Sequence, residues 1–92
     1  MSEKVTATVI IKNPNGLHAR PAALFVQTCN RFLSDVEVTC GSLTVNGKNI
    51  LGIMTLGAAA GSSITISAIG DDAQDAINTL MRLVDDNFDE PL

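Results

Sequence analysis

Hydrophobic and polar residues alternate along three stretches of the chain, with the period of a β-strand that buries one face. The stretches are VTATVIIK at 5–12, SDVEVTC at 34–40 and SSITISAIG at 62–70. The residues GS at 41–42 follow the second stretch and precede LTVN, which predicts a tight hairpin and a fourth strand.

Three other segments repeat their apolar residues every three or four positions, which is the period of an amphipathic helix. The first begins at Ala19, a short one lies within GKNILGIMTLG at 47–57, and the last follows DDAQDA at 71–76. The stripe of the first helix comprises Ala22, Phe25, Val26, Cys29, Phe32 and Leu33. Asn49 can cap the short helix and Gly57 can end it.

The last predicted helix has charged residues at both ends. Asp71 or Asp72 can cap its start, where a carboxylate is favourable. Near its end, Arg82 is predicted to pair with Asp85 or Asp86, whose charges otherwise oppose the helix dipole.

The predicted order is β-α-β-β-α-β-α. Strands joined by a hairpin and by helices predict an α+β fold, in which an antiparallel sheet carries the helices on one face. The 92 residues suit one small domain, predicted over residues 1–88. The ending DDNFDEPL is acidic and predicted to be loose, with residues 89–92 as a tail outside the domain.

Composition excludes several classes of protein. A net charge of −4, no Trp or Tyr and only three Phe argue against nucleic-acid binding, including an RRM-type domain. No apolar run approaches the roughly 20 residues that span a bilayer, and the start of the chain does not resemble a signal peptide, so a cytoplasmic protein is expected. Cys29 and Cys40 are predicted to be reduced, buried packing residues, with no metal site.

The stretch NGLHARPAA at 15–23 contains the only histidine. With His18 as the N-cap, Ala19, Arg20 and Pro21 form the first turn, where proline is tolerated. The N–H groups of Ala19 and Arg20 then point outward and make an anion site, to which the Arg20 guanidinium adds a full charge.

A positive potential at this position favours the neutral imidazole, whose ring nitrogen is a nucleophile. The same potential stabilises a phosphoryl group once it is attached. The residues therefore allow a carrier that accepts phosphate and releases it. They allow equally an ordinary surface or capping histidine, and the residues alone leave both open.

The segment NPNGLHARPAALFVQ closely resembles the active-site segment of the histidine-containing phosphocarrier (HPr) family of the bacterial phosphoenolpyruvate-dependent phosphotransferase system. The segment VNGKNILGIMTLGAAAGSSITISAIGDDAQDAI resembles the remainder of that family, so the resemblance covers roughly residues 4–88. It implies an open-faced β-sandwich with four antiparallel strands and three helices on one face.

The resemblance also implies the chemistry. His18 matches the residue that phosphorylated enzyme I modifies on Nδ1 and that an enzyme IIA protein dephosphorylates. Arg20 matches the arginine that supports the phosphoryl group, beside the amide of Ala19. Asn13 is expected to orient the loop before His18, although a plain turn role is as compatible. The resemblance implies no metal or organic cofactor, and the protein is expected to be a phosphoryl-transfer intermediate rather than an enzyme with its own turnover.

Asn49 stands where many relatives have a serine that a regulatory kinase phosphorylates. An amide cannot accept phosphate there, so kinase regulation through this position is not expected. The LHARP motif suits both a sugar-type HPr and its nitrogen-related paralogue, so the pathway stays open at this point.

The short helix is apolar on nearly every side, so some of its residues must be exposed or covered by a partner. Leu51 and Met54, with Ile50 nearby, are predicted to contact enzyme I and IIA proteins; the alternative is that all of them pack inside. The expected protein is a monomeric phosphocarrier that neither binds nucleic acid nor inserts into a membrane. The alternative is a regulatory HPr-like module that docks on a partner without relaying phosphate.

Overall fold

The computed structural model describes residues 3–89 of the chain, which form one four-stranded antiparallel sheet and three α-helices. In chain order the elements are β1 (Glu3–Ile10), α1 (Ala19–Cys29), β2 (Asp35–Cys40), β3 (Leu43–Asn46), α2 (Ile50–Thr55), β4 (Ser63–Gly70), α3 (Ala73–Asp85) and a 3₁₀ turn (Asn87–Asp89). The predicted α+β class and element order are confirmed.

The strands lie in the order β1-β4-β2-β3, so the first and last strands of the chain pair with each other. Alternate residues of β4 point to opposite faces, and those facing the helices are fully buried: Ile64, Ile66 and Ala68. The opposite face carries hydroxyl groups that bond across strands, as in the pairs Thr8–Thr65 and Thr39–Thr44. The sheet is therefore covered by helices on one face only.

The core lies between the sheet and the helices. Fully buried side chains reach it from every layer, and the largest are Phe25, Phe88, Ile11, Ile53, Ile64, Ile66 and Leu80. The Cys29 thiol is among them, and burial raises its pKa to about 12 against the opposing influence of the Lys48 charge. Both cysteines are free, as predicted, but the predicted burial is wrong for Cys40, which is half-buried at the end of β2.

The first helix ends earlier than its apolar stripe predicts. α1 stops at Cys29, and Leu33 lies beyond it with 94% of its surface exposed, so its predicted burial is wrong. The Asp72 carboxylate is the reason: it accepts hydrogen bonds from the N–H of Leu33 (2.8 Å) and of Ser34 (2.9 Å), and from the Ser34 hydroxyl. These bonds hold the chain in a turn that directs Leu33 outward.

Asp72 is the N-cap residue of α3, as predicted, yet its side chain does not bond to its own helix. The hydroxyl of Ser34 is the main cause that lowers the pKa of the Asp72 carboxyl, followed by the N–H of Leu33. The residue thus joins the start of α3 to the α1–β2 turn.

Two predictions for the end of the chain are wrong. Within residues 3–89, Arg82 forms no ion pair with Asp85 or Asp86, and Asp85 pairs instead with Lys12 at 3.8 Å. Phe88 is not loose but fully buried, because a 3₁₀ turn folds it back onto α1 and α3. Residues 90–92 of the predicted tail lie outside the described part of the chain, and the boundary at residue 88 stays a prediction.

Two general features bear on function. None of the helices in residues 3–89 has both the length and the apolar character needed to cross a bilayer. The same residues contain no cluster of three or more His, Cys, Asp or Glu side chains arranged to hold a metal ion.

Candidate functional site

His18 occupies the N-cap of α1, as the sequence predicts. Its backbone is extended, with φ −80° and ψ −170°, and its carbonyl oxygen accepts the hydrogen bond that opens the helix, from the N–H of Ala22 at 2.9 Å. Pro21 is buried in the first turn, where its missing N–H costs nothing. The side chain of His18 is half-buried at the surface and does not cap the helix.

The first turn of α1 presents two backbone donors to solvent. Within residues 3–89, no acceptor bonds to the N–H of Ala19 or of Arg20. No acidic side chain lies in this turn to neutralise the positive end of the helix dipole. Arg20 is exposed and forms no ion pair in the described part of the chain. The turn that follows His18 therefore offers two backbone amides and one exposed guanidinium as donors for an anion.

Two hydrogen bonds between residues of the loop itself fix the loop before His18. The Asn13 side chain is fully buried, and its Nδ2 donates to the carbonyl oxygen of Gly16 at 2.7 Å. The N–H of Gly16 donates in return to the carbonyl oxygen of Asn13 at 3.0 Å. Asn13 is thus a specific organiser of the turn, and the expectation that it orients this loop is confirmed.

The segment that follows α2 also hydrogen-bonds to the loop before His18. The N–H of Leu17 donates to the carbonyl oxygen of Ala58 at 2.9 Å, and both residues are buried. No sequence argument identified Ala58, because the run GAAAG has no feature that points to a contact some 40 positions away. The segment joins the residue before His18 to the end of α2.

α2 is a six-residue helix capped by Asn49, whose side-chain oxygen accepts hydrogen bonds from the N–H of Leu51 (3.0 Å) and of Gly52 (3.3 Å). Ile53 points inward and is fully buried. The predicted capping role of Asn49 is confirmed.

The other large apolar side chains of α2 are exposed. The exposed fraction is 72% for Leu51, 43% for Met54 and 39% for Ile50; these three residues are called the α2 surface below. The predicted exposure is confirmed, and the alternative that all of them pack inside is wrong. Because α2 packs against α1, this apolar surface and the His18 loop belong to one packed unit.

The comparisons with known proteins agree with this arrangement. Residues 5–86 match the PTS-HPr family, described as the PTS HPr component phosphorylation site. The chain belongs to the HPr family. The HPr-like protein Crh of Halalkalibacterium halodurans is 42% identical over 81 residues, which are 88% of this chain and 96% of that protein.

Solved structures confirm the HPr fold. An HPr of Thermoanaerobacter tengcongensis superimposes with a TM-score of 0.92 at 48% identity, over 96% of this chain and 99% of that one. Crh of Bacillus subtilis, described as a domain-swapped dimer, superimposes with a TM-score of 0.73 at 43% identity, over 86% of this chain and 91% of that one. HPr-fold proteins are therefore seen in dimeric forms, and the monomeric state expected for this chain stays a prediction.

Proposed function

We propose that this protein is a phosphocarrier of the phosphoenolpyruvate-dependent phosphotransferase system. It accepts a phosphoryl group on His18 from phosphorylated enzyme I and passes it to an enzyme IIA protein. The observation that carries the proposal is the position of His18 at the N-cap of α1, next to the amides of Ala19 and Arg20, in a chain whose residues 5–86 match the PTS-HPr family.

The transfer step follows from the chemistry of an imidazole ring nitrogen. The lone pair of one ring nitrogen, Nδ1 by resemblance to the family, attacks the phosphorus and forms an N–P bond. The bond between phosphorus and the donor breaks, and its electron pair leaves with enzyme I. Transfer to the IIA protein repeats the step with the carrier as the leaving group.

The first turn of α1 stabilises the charge that this step delivers. A phosphoryl group on His18 adds negative oxygens next to two amides that have no acceptor within residues 3–89. The Arg20 guanidinium supplies a further charge-assisted donor. Such donors can bind the phosphoryl dianion without a metal ion. Formation and cleavage of the N–P bond leave every other covalent bond of the carrier unchanged.

The direct test is intact-mass measurement after incubation with enzyme I and phosphoenolpyruvate. The wild type is expected to gain one acid-labile phosphoryl group, and His18→Gln none. Arg20→Met is expected to lower the transfer rate, whereas Arg31→Met, which removes another exposed arginine beyond the far end of α1, serves as the matched control. A wild type that stays unmodified under conditions that phosphorylate an established HPr contradicts the proposal.

The second candidate function is a regulatory HPr-like module that docks without relaying phosphate. It is favoured by the similarity to proteins named Crh, at 42% and 44% identity. The same mass experiment separates the two functions, because a module of this kind gains no phosphoryl group on His18 and still binds its partner.

The α2 surface is proposed to contact enzyme I and the IIA proteins. Met54→Glu places a charge in the exposed apolar patch and is expected to slow transfer with the fold intact. Leu33→Glu is the matched control, since Leu33 is even more exposed and α1, about 16 Å long, separates it from His18. Equal transfer rates in the two variants would rule out this docking surface.

Residue 49 is proposed to be unregulated by phosphorylation. Asn49 has no hydroxyl group, and its amide oxygen is engaged by two N–H groups of α2. Incubation with an HPr kinase that modifies a serine at this position is expected to leave the wild type unchanged. Asn49→Ser restores the acceptor and keeps the cap, and is the positive control.

A further inference from the structure

The segment from Gly57 to Ser62, called the clamp loop below, is hydrogen-bonded to both ends of the loop that leads into His18. At the first end, the N–H of Ile11 donates to the carbonyl oxygen of Ser62 (2.9 Å). The carbonyl oxygen of Ile11 accepts in turn from the N–H of Gly61 (2.7 Å). At the second end, the N–H of Leu17 donates to the carbonyl oxygen of Ala58 (2.9 Å). The clamp loop therefore fixes the loop where it leaves β1 and where it enters α1.

The two backbones touch at Gly16. Its φ of +65° lies in the left-handed region that favours glycine. A Cβ atom there would lie 2.3 Å from the carbonyl oxygen of Ala58 and 2.9 Å from the Cα of Ala59, so any larger residue must push the loops apart. Asn13 bonds to the same glycine through its own amide. The peptide group between Gly16 and Leu17 is thus hydrogen-bonded through both of its polar atoms: its C=O accepts from Asn13, and its N–H donates to Ala58.

We infer that Ala58 is a positioning residue for His18, and that the clamp loop sets the position of the imidazole at the start of α1. The inference rests on the proposed function. The bond from Leu17 to Ala58 holds the backbone one residue before His18, and the extended backbone of His18, with φ −80° and ψ −170°, continues from that point into α1. A side chain that is misplaced by about 1 Å can lose on the order of 100-fold in reaction rate.

The arrangement also links docking to chemistry. The clamp loop begins where α2 ends, and α2 carries the exposed apolar surface. A partner that binds the α2 surface therefore contacts the helix that leads directly into the clamp loop. The donor's phosphorus then meets a ring whose position is fixed relative to the docking surface.

The test compares two glycine variants with the same backbone strain. Gly16→Ala and Gly41→Ala both place a Cβ at a positive φ, +65° and +63°, but only the first meets the clamp loop, since the second has no atom within 4 Å. Gly16→Ala is expected to lower kcat/KM for transfer from enzyme I by about 10- to 100-fold relative to Gly41→Ala. The NMR signals of the His18 ring are expected to move in Gly16→Ala alone.

A second pair of variants tests the inference if Gly16→Ala does not fold. Ala58→Gly and Ala60→Gly add the same freedom to the clamp loop, but Ala58 is buried against Leu17 whereas Ala60 is exposed. Ala58→Gly is expected to speed hydrogen exchange of the Leu17 amide and to slow transfer. Ala60→Gly is expected to change neither.

Transfer rates that agree within twofold inside both pairs, or His18 signals that stay in place in Gly16→Ala and Ala58→Gly, overturn the inference. A wild type that enzyme I does not phosphorylate overturns the proposed function instead. The ring signals of the unphosphorylated protein then still decide whether Ala58 positions His18, so the two failures are distinguishable.

Discussion

Replacing Phe88 by Ala tests whether the end of the described chain is part of the folded domain. Phe88 is fully buried although it follows the last helix, and it lies in a 3₁₀ turn that contacts α1 and α3. The sequence pattern predicts a loose segment here, so the structure and the pattern give opposite expectations. Leu33→Ala is the matched control, because Leu33 also follows a helix and is 94% exposed.

The magnitude comes from two opposing terms. Truncating a buried Phe to Ala costs about 3–5 kcal/mol. Asn87, Phe88 and Asp89 have φ values of 55°, 56° and 59°, a left-handed run that costs about 1 kcal/mol or more at a bulky residue and less at Asn and Asp. If the turn unwinds in the variant, this strain is recovered, so the expected net loss is about 2–4 kcal/mol.

The assay is urea unfolding followed by circular dichroism, with thermal unfolding in parallel. A loss of about 2–4 kcal/mol corresponds to a fall in Tm of roughly 10–30 °C for a domain of this size. The m-value is expected to stay unchanged if the loss lies in the folded state. Leu33→Ala is expected to stay within about 0.5 kcal/mol of wild type. A Phe88→Ala variant as stable as Leu33→Ala would refute the packing of this turn.

Three further predictions concern residues whose environment the structure defines. Asp72→Asn is expected to lower the urea midpoint at pH 7, since a carboxylate is lost from the turn that it holds. The pKa of Asp72 is depressed in the folded state from 3.8, so its contribution is complete above about pH 4 and is lost as the pH falls through the lower folded value. The difference between variant and wild type is therefore expected to shrink in acid; a difference that persists at low pH would contradict the role of the charge. Iodoacetamide at pH 8 is expected to label the half-buried Cys40 and to spare Cys29, whose pKa of about 12 and burial keep the thiol protonated and enclosed. Mass spectrometry of the native protein, with the urea-unfolded chain as control, checks this, and equal labelling of both in the native state would count against it. Asn49→Ala is expected to cost about 1 kcal/mol in urea unfolding because two N–H groups of α2 lose their acceptor, whereas Asn49→Ser is expected to be near neutral; no difference between the two would show that the cap contributes little.

The local elements were predictable because their signals lie within a few residues. Alternation defined the strands, and the residues GS set the β2–β3 hairpin. His18 was predicted to be the N-cap of α1, a position that places Pro21 in the first turn, where proline is tolerated, and the structure confirms it. The apolar excess of α2 predicted the exposed Leu51 and Met54, since a six-residue helix cannot bury every side.

The long-range contacts were not predictable in this way. Asp72 looked like the cap of its own helix, and its carboxylate bonds instead to a turn 38 and 39 positions earlier, which is why Leu33 faces solvent. Phe88 looked like part of an acidic tail, and only the groove between α1 and α3 explains its burial. The contact of Gly16 with Ala58 leaves no local pattern beyond a glycine in a turn.

By itself, the sequence determined the strands and helices, the place of His18 at the start of α1 and the apolar surface of α2. These follow from periodicity and capping, which act over one or two turns of the chain. The tertiary structure alone decided the strand order β1-β4-β2-β3, the hydrogen bond between Ala58 and the loop before His18, and the burial of Phe88. Each of these features depends on contacts between residues that are distant in sequence. Such contacts form only when the sheet and the helices have packed and brought both partners together.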